Sequence, residues 1–268
     1  MPGGGADRVT GMSIQAVLLD LDGTVYYGSQ EIPGASDFVR AAHARGVRTM
    51  FVTNRSNRTP AEVVRHLESY GIPCTEDEVL TSSQATAQYL KSGTFYHIGE
   101  YGLELALTEQ GLVYDEEAPD YVIVSFDREF NYDKLRIACR LIGNGSRFIA
   151  TNPDSALKLK DGVVPGTGAI VAAVQAGTNT QPVIVGKPER RIFDLAVERI
   201  GVDRGHVVAV GDSLQTDIPA GQAAGIRTAL ILTGVSTQED IAAAPVEPTW
   251  VVENYAELTA LVLDDDGG

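Results

Sequence analysis

Cysteine is almost missing from this 268-residue chain: Cys74 and Cys139 are the two present, with no CxxC pair and no secretory context. A disulfide framework is therefore not expected, and both residues read as free, partly buried thiols. Lysine is scarce too, found only at positions 91, 134, 158, 160 and 187, so the basic side chains are mostly arginine. No stretch approaches the roughly 18 consecutive apolar residues that a membrane span needs. The Gly-rich, polar segment Met1–Gly11 lacks the apolar core of a signal peptide, so a cytoplasmic location is expected. Positive charge is in short supply overall. A net charge of −15 argues against nucleic acid or an anionic membrane as partner, because a polyanion would be repelled over most of the surface. The plainest use of that charge is solubility; a high-salt cytoplasm and a GC-rich genome fit the acidic, lysine-poor composition equally well.

What is present is a hydrophobic fraction of 44%, ordinary for a soluble globular chain and enough for a sizeable core. Short β-branched runs alternate with amphipathic stretches, which predicts βαβ units and a parallel sheet. Strands are expected at Ile14–Asp20, Val47–Val52, His206–Val210, Arg227–Leu232 and Trp250–Val252. Helices are expected at Pro33–Arg45, Pro60–Tyr70, Thr216–Ala224 and Tyr255–Val262, several with Pro at the start or Gly past the end. The block from Gln84 to Pro182 is too long for a loop and carries its own pattern. Its strands are predicted at Phe95–Ile98, Tyr121–Phe126 and Arg147–Ala150, its helices near Glu104–Gln110, Lys134–Gly143 and Ala169–Gln175. The predicted organisation is a discontinuous core of residues 12–83 and 183–263, an inserted α/β domain at 84–182, and flexible termini at 1–11 and 264–268.

The strongest local signal is Asp20-Leu21-Asp22-Gly23-Thr24, two carboxylates two apart where an apolar strand ends. Strand ends at the carboxyl edge of a parallel sheet are where such folds place ligands. On its own, the segment also fits an Asx-type turn leaving a strand. Three further groups fall at strand ends in the same frame: Thr53-Asn54, Lys187 in Gly-Lys-Pro-Glu, and Asp212 in Gly-Asp-Ser with Asp217 beyond. Each alone reads as a loop, a solvated helix start or another turn. Together they put a hydroxyl, an amide, an ammonium and four carboxylates at one sheet edge. Two carboxylates about 4 Å apart repel by about 4 kcal/mol at an effective dielectric near 20. Such a cluster calls for a lysine and a dication, and all-oxygen ligation suits Mg²⁺. His43, His66, His97 and His206 show no ligand spacing, so no second metal is expected. Gly99–Gly102 and Gly162–Gly168 make neither GxGxxG nor a P-loop and read as turns or helix entries. Asp127-Arg128-Glu129 reads as a loop tip, either solvated or facing the site; Tyr26 and Tyr27 either line an entrance or pack a flap.

In this order, DLDGT, TN, GKP and GDSLQTD resemble the haloacid dehalogenase (HAD) superfamily of aspartyl-phosphate phosphatases. Thr81-Ser82-Ser83-Gln84-Ala85-Thr86, Ala150-Thr151-Asn152-Pro153-Asp154 and Leu232-Thr233-Gly234 are similar to its p-nitrophenylphosphatase/NagD-like branch. The resemblance spans Ile14 to Val262. It implies a Rossmann-like parallel-sheet core with a large α/β (C2-type) cap inserted between the second and third motifs. It also implies Mg²⁺-dependent hydrolysis of small phosphomonoesters: nucleotide, sugar, glycerol or pyridoxal phosphates. The implied roles are Asp20 as nucleophile, Asp22 as acid and base, Thr53 and Asn54 as holders of phosphoryl oxygens, and Lys187 as charge neutraliser. Asp212, the Asp20 carboxylate and the Asp22 carbonyl would bind Mg²⁺, with Asp217 anchoring Lys187 or a metal-bound water. Relatives that pair through the cap imply a homodimer or higher homo-oligomer.

One departure is visible. Many relatives carry Asn-Asn-Ser after the motif-two threonine, whereas this chain has Asn54-Arg55-Ser56-Asn57-Arg58. Arg55 and Arg58 either meet a substrate anion or are solvated loop residues. Two other readings remain for the chain: a haloalkanoate dehalogenase, which needs neither Mg²⁺ nor an acid at position 22, and a phosphoacceptor signalling module, which needs no acid/base partner. Asp22, Thr24 and Asp212 count against the first, Asp22 and the large cap against the second.

Overall fold

The alternating apolar and amphipathic runs close into two parallel sheets in the computed structural model, which describes residues 13–159, 162–244 and 246–264. The expectations for residues 1–11 and 265–268 fall outside that range. Six strands form the first sheet, in the order Trp250–Val252, Arg227–Ile231, Val207–Gly211, Ala16–Leu19, Arg48–Thr53 and Val79–Thr81. Every pairing in it is parallel. Ala16–Leu19 is buried along its whole length because both faces are covered, which is why it reads as an unbroken apolar run. Strand order reverses between Ala16–Leu19 and Val207–Gly211, and the crevice at such a reversal is where doubly wound sheets bind ligands.

The inserted block forms a second sheet of five parallel strands: Val183–Ile184, Arg147–Ala150, Tyr121–Val124, Thr94–Ile98 and Val113–Tyr114. The fold is thus α/β, a Rossmann-like core carrying an α/β cap. One buried apolar cluster runs from Leu18, Val52 and Leu80 of the core through Ala87 and Leu90 to Leu103, Ile123 and Ile149 of the cap. The two sheets therefore share a continuous hydrophobic layer.

Local chemistry explains the elements. Thr59 caps helix Pro60–Glu68, accepting from the Glu62 amide while the Glu62 carboxylate accepts from the Thr59 amide, with Pro60 in the first turn. Thr81 and Gln84 make the same reciprocal pair at the start of helix Ser82–Leu90. That helix runs across the expected first boundary at residue 83. Val183–Ile184, expected as the start of the returning core, pairs instead with Arg147–Ala150 in the cap sheet. Of Gly162–Gly168, expected as turns or helix entries, Gly162–Pro165 is instead a strand paired with Ala156–Leu159, while Gly166 does open helix Thr167–Thr178. Helix Arg191–Ile200, which the sequence reading left unassigned, buries Ile192, Phe193, Ala196, Val197 and Ile200 on one face.

Candidate active site

Strand register brings the sequence motifs together. Asp20 follows the central strand, Thr53 ends its neighbour on one side, and Asp212 follows Val207–Gly211 on the other. Lys187 arrives from the segment that returns from the cap and is buried at 2% exposure. Its ammonium donates to Asp20 Oδ1 at 2.5 Å, Asp217 Oδ1 at 2.6 Å and the Val52 carbonyl at 3.1 Å. Burial pushes the Lys187 ammonium toward neutrality, but Asp20 and Asp217 outweigh it and hold it charged.

Asp20, Asp212 and Asp217 each present a carboxylate oxygen within 4.8 Å of the others. One lysine does not offset three carboxylates, Asp212 and Asp217 buried and Asp20 partly so. Burial raises Asp20 well above the usual aspartate range, with Asp217 and Asp212 adding to the rise against the pull of Lys187. Burial and Asp217 push Asp212 up to about 7, opposed by the Val235 amide and Lys187. The Val235 amide donates to Asp212 Oδ2 at 2.6 Å. Gly23, at φ 86, and Gly234 back directly onto this carboxylate, and a methyl group at either would overlap it. Thr233 donates to the Gly23 carbonyl at 2.7 Å and Tyr255 to the Thr24 carbonyl at 3.0 Å, fastening the loop from behind.

Asn54 does something the sequence reading did not anticipate. Its carboxamide is spent on the polypeptide: Oδ1 accepts from the Lys187 amide at 2.9 Å, while Nδ2 donates to the Lys187 carbonyl at 2.9 Å and to Asp154 Oδ2 at 2.9 Å. The Asn54 carbonyl is held in turn by Ser82 and Asn152. Among the described residues, the amides of Leu21, Asp22 and Asn54 make no hydrogen bond. The Thr53 hydroxyl accepts from the Arg55 amide at 3.0 Å, which leaves its own hydrogen for another acceptor.

Asp22 stands apart from the acidic cluster. Its carboxylate faces Arg55, which donates through Nη2 at 2.7 Å and Nε at 3.1 Å. Arg58 makes no ion pair among the described residues, though its charge helps depress His66 after burial has done so. The Asp127-Arg128-Glu129 turn is neither bare nor free: Asp127 is buried against Lys134 at 2.7 Å, and Arg128 forks onto Glu100. Tyr26 packs in the core against His66 and Tyr70, while Tyr27 is half-exposed.

The cap meets this edge through a seam of small polar groups. Ser125 donates to the Ser56 hydroxyl at 2.6 Å, Thr151 to Ser125 at 3.0 Å, and Ser83 to the Ser56 carbonyl at 2.6 Å. Glu100 accepts from Asn57 at 3.1 Å, and Gly102 lies so close to the Asn57 and Arg58 backbone that a methyl there would sit 2.7 Å from the Asn57 carbonyl carbon. The sequence reading did not single out Asp154, Asn152 or Ser125 as site residues; the first two lie in the Ala150–Asp154 segment, and Ser125 lies in the expected strand Tyr121–Phe126. Two concavities of about 430 and 440 Å³ lie elsewhere, one around His43, Arg48 and Glu78, the other around Asp120 and Arg147, and neither holds a motif residue.

Known proteins share this fold and much of this sequence. Family models described as haloacid dehalogenase-like hydrolase and HAD-hydrolase-like match residues 17–113 and 184–258. The chain is 42% identical over 244 residues to the 5'-nucleotidase YutF of Bacillus subtilis, covering 90% of this chain and 95% of that protein. It is 41% identical over 241 residues to an acid sugar phosphatase of Staphylococcus epidermidis, covering 88% and 93%. Among solved structures, the 4-nitrophenylphosphatase of Thermotoga maritima superposes with a TM-score of 0.89 at 36% identity, covering 93% of this chain and 97% of that one. NagD of E. coli gives 0.87 at 33% identity, covering 92% and 98%. With motifs, fold and cap in agreement, the chain belongs to the haloacid dehalogenase-like hydrolases, in their NagD-like group.

Proposed function

We propose that this protein hydrolyses small phosphomonoesters through an aspartyl-phosphate formed on Asp20, with Mg²⁺ as cofactor. The observation that carries the reading is the Lys187 ammonium shared between Asp20 and Asp217 beside a third buried carboxylate, Asp212. The donors fit a hard cation: carboxylate oxygens of Asp20 and Asp212 and the backbone carbonyl of Asp22, with Asp217 held back by Lys187 and the Ser213 amide. When bound, the ion neutralises charge as the phosphate dianion approaches an anionic nucleophile.

Lys187 holds Asp20 Oδ1, which leaves Oδ2 to attack phosphorus. The bond from phosphorus to the leaving oxygen breaks, and that oxygen takes a proton from Asp22. Water then attacks phosphorus and gives its proton to Asp22. The bond to Asp20 breaks, which restores both carboxyl groups. The Thr53 hydroxyl and the free amides of Leu21, Asp22 and Asn54 bind the phosphoryl oxygens, so Asn54 contributes its backbone while its side chain sets Lys187. Positioning of this kind supplies most of the catalysis in phosphoryl transfer.

We assign residues from about 91 to about 185 to the cap, later at both ends than the sequence pattern suggested. Nucleotide, sugar and glycerol phosphates are the candidate substrate types, in keeping with relatives named for nucleotide and sugar phosphates, and a cytoplasmic location suits such metabolites. The test is turnover of p-nitrophenyl phosphate with Mg²⁺. Hydrolysis lost in Asp20→Asn supports the reading; equal turnover in EDTA or in Asp20→Asn defeats it.

A further inference from the structure

Asp20 and Asp22 are two residues apart and held in opposite ways. Asp20 is fixed by a buried lysine, whereas Asp22 lies at a half-exposed edge, its side chain 47% exposed, just before the left-handed turn at Gly23. Among the described residues, Arg55 is the one partner of the Asp22 carboxylate, and it uses a two-point fork. The Arg55 backbone is tied down at the Thr53 hydroxyl, so the guanidinium is delivered from a fixed point. A planar fork on a carboxylate restricts its rotation as well as its position, which a lysine cannot do. Other charges around the pair are Asp20 and, further off, Arg58; neither bonds to Asp22.

We propose that Arg55 is a positioning residue for the acid step: its two-point fork fixes the orientation of the Asp22 side chain, so that the carboxyl is aimed at the leaving oxygen. This rests on the roles assigned above to Asp20 and Asp22. A carboxyl already held in one orientation meets the leaving oxygen without a rotational search, which is the share of the step that a fixed fork supplies. The contribution scales with how much the leaving oxygen needs that proton. A p-nitrophenolate leaves readily without one; an alkoxide does not.

The experiment measures kcat/KM for a series of aryl phosphates of decreasing leaving-group acidity, ending with an alkyl ester, glycerol phosphate. The enzyme forms are wild type, Arg55→Ala, Arg55→Lys, Asp22→Asn and Asp22→Asn with Arg55→Ala. The expected result is little change for Arg55→Ala on p-nitrophenyl phosphate and a loss on the order of 10²-fold on the alkyl ester, with a steeper dependence on leaving-group acidity. Arg55→Lys should recover part of the loss, and the Arg55 effect should vanish in the Asp22→Asn background. Retained p-nitrophenyl phosphate turnover certifies that the variant folds. A uniform loss across the series, or a full Arg55 effect without Asp22, overturns the inference and leaves the phosphatase reading intact. A wild-type enzyme inert to every ester overturns both.

Discussion

The core edge and the cap edge face one another, and both are carboxyl ends of parallel sheets, yet they are built from different chemistry. The core edge gathers Asp20, Asp212, Asp217 and Lys187 in one cluster, where burial raises Asp20 and Asp212 above the usual aspartate range. The cap edge meets it with Ser125, Thr151 and Asn152, neutral groups that saturate one another and the motif-two loop. Neutral hydroxyls and amides can be buried cheaply once hydrogen-bonded, whereas buried charges need partners or a metal. The division follows: the core carries the reaction, and the cap sets the position of the loop that serves it. Asp154 is the crossing point, a half-buried carboxylate whose partner is Asn54, which in turn grips both sides of Lys187.

The largest effect that would break this division is at the nucleophile. Asp20→Asn should lower kcat by on the order of 10⁴–10⁶-fold with the fold retained by circular dichroism; a variant within tenfold of wild type would remove Asp20 from the chemistry. Next is Asp154→Ala, which frees the Asn54 amide and loosens Lys187 without touching the phosphoryl group. A drop of roughly 10–100-fold in kcat with KM little changed is expected, the scale seen when groups supporting direct ligands are removed. An unchanged kcat would mean that the cap does not reach Lys187.

Stability separates the two edges as well. In metal-free protein Asp212 titrates near 7 rather than near the ordinary 3.8. Between those values the folded chain binds more protons than the unfolded one, so stability contributed by this group falls as pH rises through the window. Asp212→Asn should therefore be more stable than wild type at pH 8 without metal, and the gap should close toward pH 4. Mg²⁺ at 100 times its dissociation constant should raise wild-type stability by about 2.7 kcal/mol, roughly 5–10 °C, and do little for Asp212→Asn. Identical shifts in both proteins would put the ion elsewhere. The smallest effect is at the seam: Ser125→Ala should cost on the order of 1–3 kcal/mol by urea denaturation, because it strips partners from Ser56 and Thr151. Its kcat should move only a few-fold, and a loss as large as that of Asp154→Ala would contradict the neutral role of the seam.

The charged edge was legible in the sequence because its residues follow apolar strands and are spelled out locally: DLDGT, GKP and GDSLQTD each sit on one short segment. The sheet they share was legible from runs such as Ala16–Leu19, buried on both faces. The seam was not, since Ser56, Ser83, Ser125 and Thr151 have no periodicity and meet only in the fold. The same holds for Asn54, whose residue type suits a phosphate ligand; only its partners reveal that the side chain is engaged. Arg55 was noticed as a departure, but nothing in its neighbours pointed to Asp22, 33 residues earlier. Helix Arg191–Ile200 is a different case, because its apolar positions follow helical spacing and were available to a reader.

The central claim is a double displacement on Asp20, and the stereochemistry at phosphorus reports it directly. With a substrate made chiral by oxygen and sulfur labels and turned over in isotopically labelled water, two in-line displacements give net retention. Retention is the predicted result. Net inversion would mean that water attacks the ester in one step, and Asp20 would then have no covalent role.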